Sequence, residues 1–488
     1  MKTLRAAAAW LALPALLAVI ACSTNPATGH KQLNFYNQDQ EVALGRQYHE
    51  QVVQQIGLYQ DRALQSYVER LGRQLAARSE RPDLPWTFTV VDDPAVNAFA
   101  LPGGYVYVTR GLIDHMGSEA ELAGVMGHEI GHVAARHSVN QLSKAQLTQI
   151  GLTLGMVLGG PQAQRYGDLV NLAGGLMFLK FSRDDESQAD ELGLRYIGRS
   201  GYPPQAMGNV FTLLSRVSRV EQGGRLPQWL ATHPDPESRL KVMQTYYARL
   251  PSDLGSEGWR REPLLQVVDG VTYGPDPREG FFRNGVFYHP ELGFAVVSPR
   301  GWKGTNQKQA VVWQPREKDA IFALTLANAR DARTAAQQFF NQQGVQFAGQ
   351  LPLQGGGGGG AVGGQFAANT QQGPVAGAVT FVENGGKVYQ LLGFAPQGSF
   401  RAYGNQISEA MRSFQRVSSR ELGRVEPWRV DVVKIDAPMT LREFDRRYPS
   451  TVPVERVALL NNADLDTRYQ AGDELKRVVG GVPGAELE

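Results

Sequence analysis

The sequence predicts a multidomain fold: a mainly α-helical domain with a small sheet, then an α+β domain, then a small C-terminal module. A length of 488 residues is enough for several domains. Helical periodicity dominates residues 37–265, whereas residues 280–420 alternate between strand-like and helix-like segments. Residues 428–480 follow as a short unit with its own strand and helix pattern.

Local patterns in residues 37–265 give the order of the elements. Apolar residues recur at the spacing of one helix face between Leu64 and Leu75. The predicted segments are, in chain order, a helical region at 38–78, strands at 86–91 and 105–109, and helices at 119–135 and 184–199. Two apolar stretches, 150–160 and 169–181, are each shorter than the roughly 20 residues that span a bilayer. They are interpreted either as buried helices or as a lid.

The N-terminus predicts a secretory signal. Lys2 and Arg5 precede an apolar run over residues 6–20, which is the order of a signal peptide. We therefore predict that residues 1–21 are a signal peptide and are absent from the mature fold.

Cys22 is the only cysteine in the chain, so it forms no intramolecular disulfide. Residues 19–22 resemble a bacterial lipobox, in which the cysteine is acylated, and we predict a lipidated tether over residues 22–36. Because Ser23 follows rather than an aspartate, the resemblance to lipoprotein sorting signals favours the outer membrane. An ordinary signal peptide with a chance cysteine remains the alternative.

The composition gives no indication of a nucleic-acid partner. Hydrophobic residues make up 42% and charged residues 20% of the chain, as in ordinary globular proteins. The formal net charge is +2, so there is no general electrostatic case for nucleic-acid binding.

His128, Glu129 and His132 form the motif that indicates metal chemistry. The histidines are four residues apart in a predicted helix, so both imidazoles lie on one face and can bind one zinc ion. Glu129 is rotated off that axis and can act as the general base toward a water molecule at the open zinc position. The alternative is a pair of surface histidines.

A catalytic zinc site needs a third protein ligand. His137 lies five residues after His132, about 140° round a helix, so we predict that it faces away. Glu186 and Asp190 are four residues apart in a second predicted helix. Glu186 can bind zinc while Asp190 accepts the N–H of a ligand histidine, although acidic residues on a helix usually form a solvated face.

Four ordered motifs, at residues 96–100, 101–104, 127–132 and 182–190, carry a resemblance to a known family. They resemble the HExxH/ExxxD zinc metallopeptidases, a gluzincin-type family that includes the CAAX prenyl proteases and the heat-shock peptidase HtpX. In particular, the motifs resemble those of periplasmic lipoprotein members such as the beta-barrel assembly-enhancing protease. The resemblance covers about residues 35–260. It implies a gluzincin-type fold, one Zn²⁺ per chain, and Glu186 as the third ligand.

The same resemblance suggests roles for residues outside these motifs. It implies that His233 can occupy the fourth zinc position and displace the water in a self-inhibited state; a turn histidine is the alternative. Arg239 is interpreted either as stabilising the oxyanion or as simply pairing with an acid. Asn97, Tyr105 and Tyr107 are expected at the edge of the substrate cleft, where an extended substrate adds a strand. Asn97 as a turn cap is the alternative.

Residues 428–480 resemble a LysM-like module. Such modules often bind the glycan of peptidoglycan. Ala437 and Pro438 replace the usual opening Gly-Asp, so glycan binding, protein docking and a merely structural role all remain open. Residues 280–420 carry no chemical motif that would indicate a role.

These features together predict a lipid-anchored zinc endopeptidase on the periplasmic face of the outer membrane that hydrolyses misfolded or unassembled envelope proteins. The expected partners are protein substrates, the membrane through Cys22, and peptidoglycan or the outer-membrane assembly machinery. One alternative is an envelope chaperone or scaffold with docking C-terminal domains and little proteolysis. Another is a processing peptidase with one dedicated substrate.

Overall fold

The computed structural model describes residues 22–147, 180–220, 229, 232–233, 236–247, 258–351, 361–370 and 373–486. The predicted signal peptide and most of the apolar stretches at 150–160 and 169–181 lie outside the described residues. Among the residues described, no helix combines the length and apolar character needed to cross a membrane.

By its internal contacts the chain divides into two units. One contains Met1–Val271 and Val430–Val478, and the other contains Thr272–Arg429 and Val479–Glu488. The sequence did not indicate that residues 430–478 share a unit with the first part of the chain. The predicted boundaries of separate domains stay predictions.

The first unit begins with a hairpin and continues with helices and a three-stranded sheet. Its strands are β1 (Cys22–Thr24), β2 (Lys31–Leu33), β3 (Thr87–Val91), β4 (Ala98–Leu101) and β5 (Tyr105–Thr109). Its helices are α1 (Gln38–Gln55), α2 (Arg62–Ala76), α3 (Arg110–His115), α4 (Glu119–Ala134), α5 (Arg183–Arg199), α6 (Gln205–Val220), α7 (Pro236–Tyr247) and α8 (Arg261–Val268). The helical region predicted at 38–78 is two helices, because Gly57 takes a φ of 87° and Asp61 caps α2.

β5 is the central strand of the three-stranded sheet, whose order is β3–β5–β4. It pairs with β3 in parallel and with β4 in antiparallel orientation, and all of its residues are buried. The sequence did not predict β4. Within the described part of the chain, no strand pairs with the outer side of β4.

α4 is buried along its whole length and packs against α5. It begins after Ser118, whose side chain accepts a backbone N–H of the first turn. Glycines allow the close approach of the two helices. A Cβ atom at Gly131 would lie 2.9 Å from the carbonyl oxygen of Ala189, and one at Gly193 would lie 2.9 Å from the backbone nitrogen of His128. The motif residues of both helices therefore lie side by side.

The second unit is a mixture of sheets and helices, as predicted. Its strands are β6 (Phe281–Arg283), β7 (Val286–His289), β8 (Phe294–Val297), β9 (Lys303–Gln307), β10 (Ala310–Gln314), β11 (Ile321–Ala327), β12 (Val345–Gln350), β13 (Val362–Thr370), β14 (Gly373–Asn384), β15 (Lys387–Pro396) and β16 (Gln415–Arg416). Its helices are α9 (Ala332–Phe340), α10 (Phe400–Arg412) and α11 (Ser419–Leu422). One sheet has the order β12–β13–β14–β15–β11–β10–β9, and the other β16–β8–β7–β6. Aromatic side chains such as Phe287, Trp313 and Phe322 fill the core.

The C-terminal stretch has a helix pair between two paired strands. Its strands are β17 (Trp428–Lys434), β18 (Met439–Thr440), β19 (Arg468–Tyr469) and β20 (Glu474–Gly480), and its helices are α12 (Leu441–Arg447) and α13 (Val454–Leu460). β17 pairs with β20, and β18 with β19. A capping box between Thr440 and Glu443 begins α12.

Lys476 on β20 joins this stretch to the end of α3. Its Nζ donates hydrogen bonds to the carbonyl oxygens of Asp114 at 2.6 Å and Met116 at 2.8 Å. Both oxygens of the Asp114 carboxyl group lack a hydrogen-bond partner among the described residues. Burial raises the pKa of Asp114 to about 7, although Arg110 and Lys476 oppose the rise. Burial likewise lowers the pKa of Lys476 to about 7.

The buried carboxyl group predicts a pH-dependent difference between the protein and an Asp114→Asn variant. The folded-state pKa of Asp114, about 7, lies above its ordinary value of 3.8. The contribution of its protonated carboxyl group to the stability of the fold is therefore fully present below pH ~4 and is lost as the pH rises to about 7. From pH 4 to 7 the variant should gain up to about 4 kcal/mol of unfolding free energy relative to the unaltered protein. Denaturant unfolding across this range measures it. The exposed Asp466→Asn change serves as the control, and parallel pH curves for protein and Asp114→Asn would contradict the prediction.

Candidate metal centre

Three motif residues converge where α4 meets α5. His128 and His132 lie one turn apart on α4, and their Nε2 atoms are 3.0 Å apart. Glu186 on α5 places its Oε2 3.6 Å from Nε2 of His128 and its Oε1 3.6 Å from Nε2 of His132. None of the three residues is more than 2% exposed. Buried nitrogen and oxygen atoms held this close together are unfavourable unless a cation or shared protons lie between them.

His233 joins this group from outside the two helices. Its Nδ1 lies 3.3 Å from Nε2 of His128 and 2.8 Å from Oε1 of Glu186. The ring stacks on Trp229, with 4.8 Å between the ring centroids. Burial acts to lower the pKa of His233, but the carboxylates of Glu186 and Glu129 outweigh it and raise this pKa above its ordinary value.

The four residues fit a zinc ion. Tetrahedral zinc with bonds of roughly 2.0–2.2 Å places neighbouring ligand atoms about 3.3 Å apart. With Oε1 as the ligand atom of Glu186, the separations in this group are 2.8, 3.0, 3.3 and 3.6 Å. One ligand atom from each of the four residues lies within 4.8 Å of the others. Three imidazoles and one carboxylate are donors that zinc accepts. The group can therefore hold a metal ion.

Asp190 and Arg239 contact members of the metal-binding group and hold them in position. Oδ1 of Asp190 lies 2.9 Å from Nδ1 of His128, so the carboxylate accepts the N–H that leaves Nε2 free to bind a metal. Arg239 pairs with Asp190, donating from Nε at 2.9 Å, and with Glu186 through Nη1 at 2.9 Å. Burial acts to raise the pKa of Asp190, but Arg239 and His128 lower it to about 2.

Of the two roles considered for Arg239, pairing with an acid is the one visible in this geometry. Its guanidinium is buried, lies over the rings of Phe211 and Trp229, and faces two carboxylates. Burial acts to lower the pKa of Arg239, yet Asp190 and Glu186 raise it.

Glu129 lies on the other side of His233. It is buried, and its Oε1 has no hydrogen-bond partner among the described residues. That oxygen is 3.6 Å from Nε2 of His233. The imidazole of His233 therefore lies between the metal-binding atoms and the carboxylate of Glu129.

His137 is placed differently from the sequence prediction. The prediction assumed that His132 and His137 lie on one continuous helix. That assumption is wrong, because α4 ends at Ala134 and Arg136 takes a left-handed φ of 62°. His137 lies outside the metal-binding group, as expected, but its ring does not face away. Its Nδ1 is 2.9 Å from Nδ1 of His132. Burial lowers the pKa of both rings, His132 the more strongly, which favours their neutral forms.

The expectation that β5 forms a cleft edge is wrong, because β5 is the central strand of its sheet. Tyr105 and Tyr107 are buried, and they pack in a core cluster with residues of α1. Tyr107 also shares a hydrogen bond of 2.8 Å with His49. Asn97 is buried immediately before β4, and its backbone N–H donates to Oγ1 of Thr109. None of the three residues belongs to the metal-binding group.

Comparisons with known proteins point to the same chemistry. The family model described as Peptidase family M48 matches residues 62–246. The chain is 37% identical over 210 residues to the beta-barrel assembly-enhancing protease of Yersinia pestis. It is 34% identical over 209 residues to the protein of that name from Escherichia coli strain K12. Each match covers 41% of this chain, and the two cover 43% and 42% of those relatives, so the chain spans less than half of their length.

A third relative is matched over more of its length. The chain is 30% identical over 260 residues to the mitochondrial metalloendopeptidase OMA1 of Schizosaccharomyces pombe. That match covers 51% of this chain and 74% of the yeast protein.

Replacing the carboxylate ligand should weaken zinc binding without unfolding the protein. We expect the purified protein to bind one zinc ion, and Glu186→Gln to lower the affinity by more than about 100-fold, because loss of a ligand exceeds the usual cost of losing a supporting residue. Metal analysis and competition with a chromophoric chelator measure this. Glu191→Gln, an exposed position on the same helix, should match the unaltered protein. Equal affinity of the two variants would remove Glu186 from the ligand set.

Proposed function

The chain belongs to peptidase family M48, and on that premise we propose that it is a zinc-dependent endopeptidase of the bacterial envelope. It hydrolyses peptide bonds of misfolded or unassembled envelope proteins. The observation that carries this proposal is the buried group of His128, His132 and Glu186 with the carboxylate of Glu129 beside it.

The side chains divide the work of hydrolysis between them. His128, His132 and Glu186 would hold the ion, and zinc, when bound there, would supply Lewis acidity toward water and the peptide carbonyl. Glu129 takes the proton of the attacking water and passes it to the leaving amine. Asp190 fixes the tautomer of His128, and Arg239 balances the two carboxylates that it contacts.

His233 keeps this site closed at rest. Its Nδ1 occupies the fourth corner of the metal-binding group, and its Nε2 faces Glu129. The ring of His233 therefore occupies the position that the attacking water molecule would need beside Glu129. Activity requires that His233 move away, so the resting protein is self-inhibited.

Extended substrates bind beside β4 rather than β5. β4 is the outer strand of its sheet, and it packs against α4, which carries the zinc motif. Addition of a substrate strand satisfies main-chain groups and reads few side chains. Broad specificity for unfolded segments follows.

The location and partners of the protein extend the proposal. Acylation at Cys22 anchors the chain to the periplasmic face of the outer membrane. Two relatives are named for beta-barrel assembly, which supports unassembled outer-membrane proteins as substrates and the assembly machinery as a partner. The peptidase domain has the gluzincin-type fold, and residues 428–480 are a LysM-like module that docks on peptidoglycan or on a protein.

Glu129→Gln should retain zinc but lose proteolysis. Removal of a general base lowers the rate by about 10²–10⁴-fold, and the amide keeps the shape of the side chain. Casein cleavage and zinc content, measured on the same preparations, test this. Glu191→Gln serves as the matched control. Cleavage by Glu129→Gln at the rate of the unaltered protein would contradict the role of the base.

The same variant separates the competing functions. If zinc-loaded protein fails to cleave casein and a Glu129→Gln strain grows normally under envelope stress, the scaffold function is favoured. Proteins that co-purify with Glu129→Gln from cells distinguish broad quality control from a single dedicated substrate. Co-purification of many unassembled envelope proteins would support the proposal, whereas co-purification of one abundant protein would favour a processing peptidase.

His233→Ala should raise casein cleavage. If His233 closes the site in about 90% of molecules, freeing them increases the rate roughly 10-fold. The initial rate of cleavage at saturating zinc measures the change. The exposed His30→Ala change is the control and should leave the rate unaltered. An unchanged or lower rate in His233→Ala with full zinc occupancy would argue against self-inhibition.

A further inference from the structure

The second ring nitrogen of His132 has an unusual partner. Its Nε2 faces the metal-binding group, and its Nδ1 lies 2.9 Å from Nδ1 of His137. The corresponding nitrogen of His128 faces the carboxylate of Asp190 instead. One ligand histidine is thus supported by an anion and the other by a second imidazole.

The hydrogen bonds beyond His137 fix where the protons are. Nε2 of His137 lies 2.8 Å from Oε1 of Gln188, and an amide oxygen only accepts. His137 therefore donates from Nε2, and in its neutral form it accepts at Nδ1. The N–H must then be on Nδ1 of His132, which leaves the lone pair of Nε2 directed at the metal-binding group.

Gln188 is itself held in place from the N-terminal hairpin. Its Oε1 also accepts from Nδ2 of Asn25, at 3.3 Å, in the turn between β1 and β2. Asn25 is buried and donates to Gln32 as well, and Gln32 donates to the carbonyl oxygen of Ala135 just past the end of α4. The hairpin thus fixes the amide that orients His137.

We propose that His137 is a positioning residue of the metal centre: it accepts the Nδ1–H of His132 and, held by Gln188, fixes the tautomer and ring orientation of that ligand. This rests on the zinc site of the proposed function and assigns His137 neither a bond to the ion nor a contact with substrate. Arg136 takes a left-handed conformation just after the end of α4, and the ring of the next residue, His137, lies beside His132 of that helix.

Zinc affinity of two substitutions at position 137 tests the proposal. Asn places an acceptor oxygen close to the position of Nδ1, whereas Leu fills similar space without an acceptor. His137→Leu should bind zinc about 10- to 100-fold more weakly, and His137→Asn should recover most of that loss. Chelator competition gives the affinities. The absorption spectrum of the cobalt-substituted protein should change in His137→Leu and resemble that of the unaltered protein in His137→Asn.

His115→Leu is the matched control, since His115 is also buried in the first unit and contacts the carbonyl oxygen of Gly111 rather than a metal ligand. It should leave zinc affinity unchanged. Equal zinc affinity in His137→Leu and the unaltered protein would overturn the proposal. So would equal losses in His137→Leu and His137→Asn, which would mark a role in packing alone.

Gln188→Leu provides a second route that leaves both histidines in place. It removes the acceptor that fixes the tautomer of His137, and zinc affinity should fall roughly 10-fold. If no substitution at position 137 gives a folded protein, Gln188→Leu alone tests the proposal. Unchanged zinc affinity in Gln188→Leu would then count against a positioning role for His137. Zinc binding by the unaltered protein is measured first: its absence refutes the zinc site itself, whereas its presence with unaffected variants refutes only the role of His137.

Discussion

The metal centre depends on how closely α4 approaches α5. Gly131 and Gly193 present no side chain at the contact, so backbone meets backbone where any larger residue would collide. That approach sets the separation of His132 from Glu186 at 3.6 Å. Interiors packed at this density do not absorb an extra methyl group without shifting an element. The ligand geometry is therefore a property of the helix pair rather than of the ligands.

Charge is the second constraint on this interior. Glu129, Glu186 and Asp190 are all buried, and Arg239 is the cation that pairs with two of them. In their ionised forms, three carboxylates against one guanidinium leave two negative charges when the histidines are neutral. A divalent cation neutralises that excess. Uncompensated buried charge is expensive, and the carboxylates of Glu186 and Glu129 raise the pKa of His233 against the effect of its burial.

The sequence predicted the members of the metal-binding group better than their surroundings. Spacing alone put His128 and His132 on one helix face, and family resemblance singled out Glu186. Helical periodicity gave the wrong orientation for the ring of His137, because the turn at Arg136 depends on backbone dihedrals that periodicity does not encode. The prediction that β5 forms an edge was also wrong, since strand order follows from pairing between distant segments rather than from local pattern. Contacts such as that of Lys476 with α3 lie beyond any local signal.

The contact between Lys476 and α3 also bears on the order of folding. Asp114 and Lys476 are 362 residues apart in the chain, and Thr272–Arg429 of the second unit lie between them. Contacts of such sequence separation close late, because the loop entropy is lost before they form. The first unit therefore cannot finish folding while the chain is still emerging past residue 271. Completion of the first unit is therefore delayed until β20, which carries Lys476, has been synthesised.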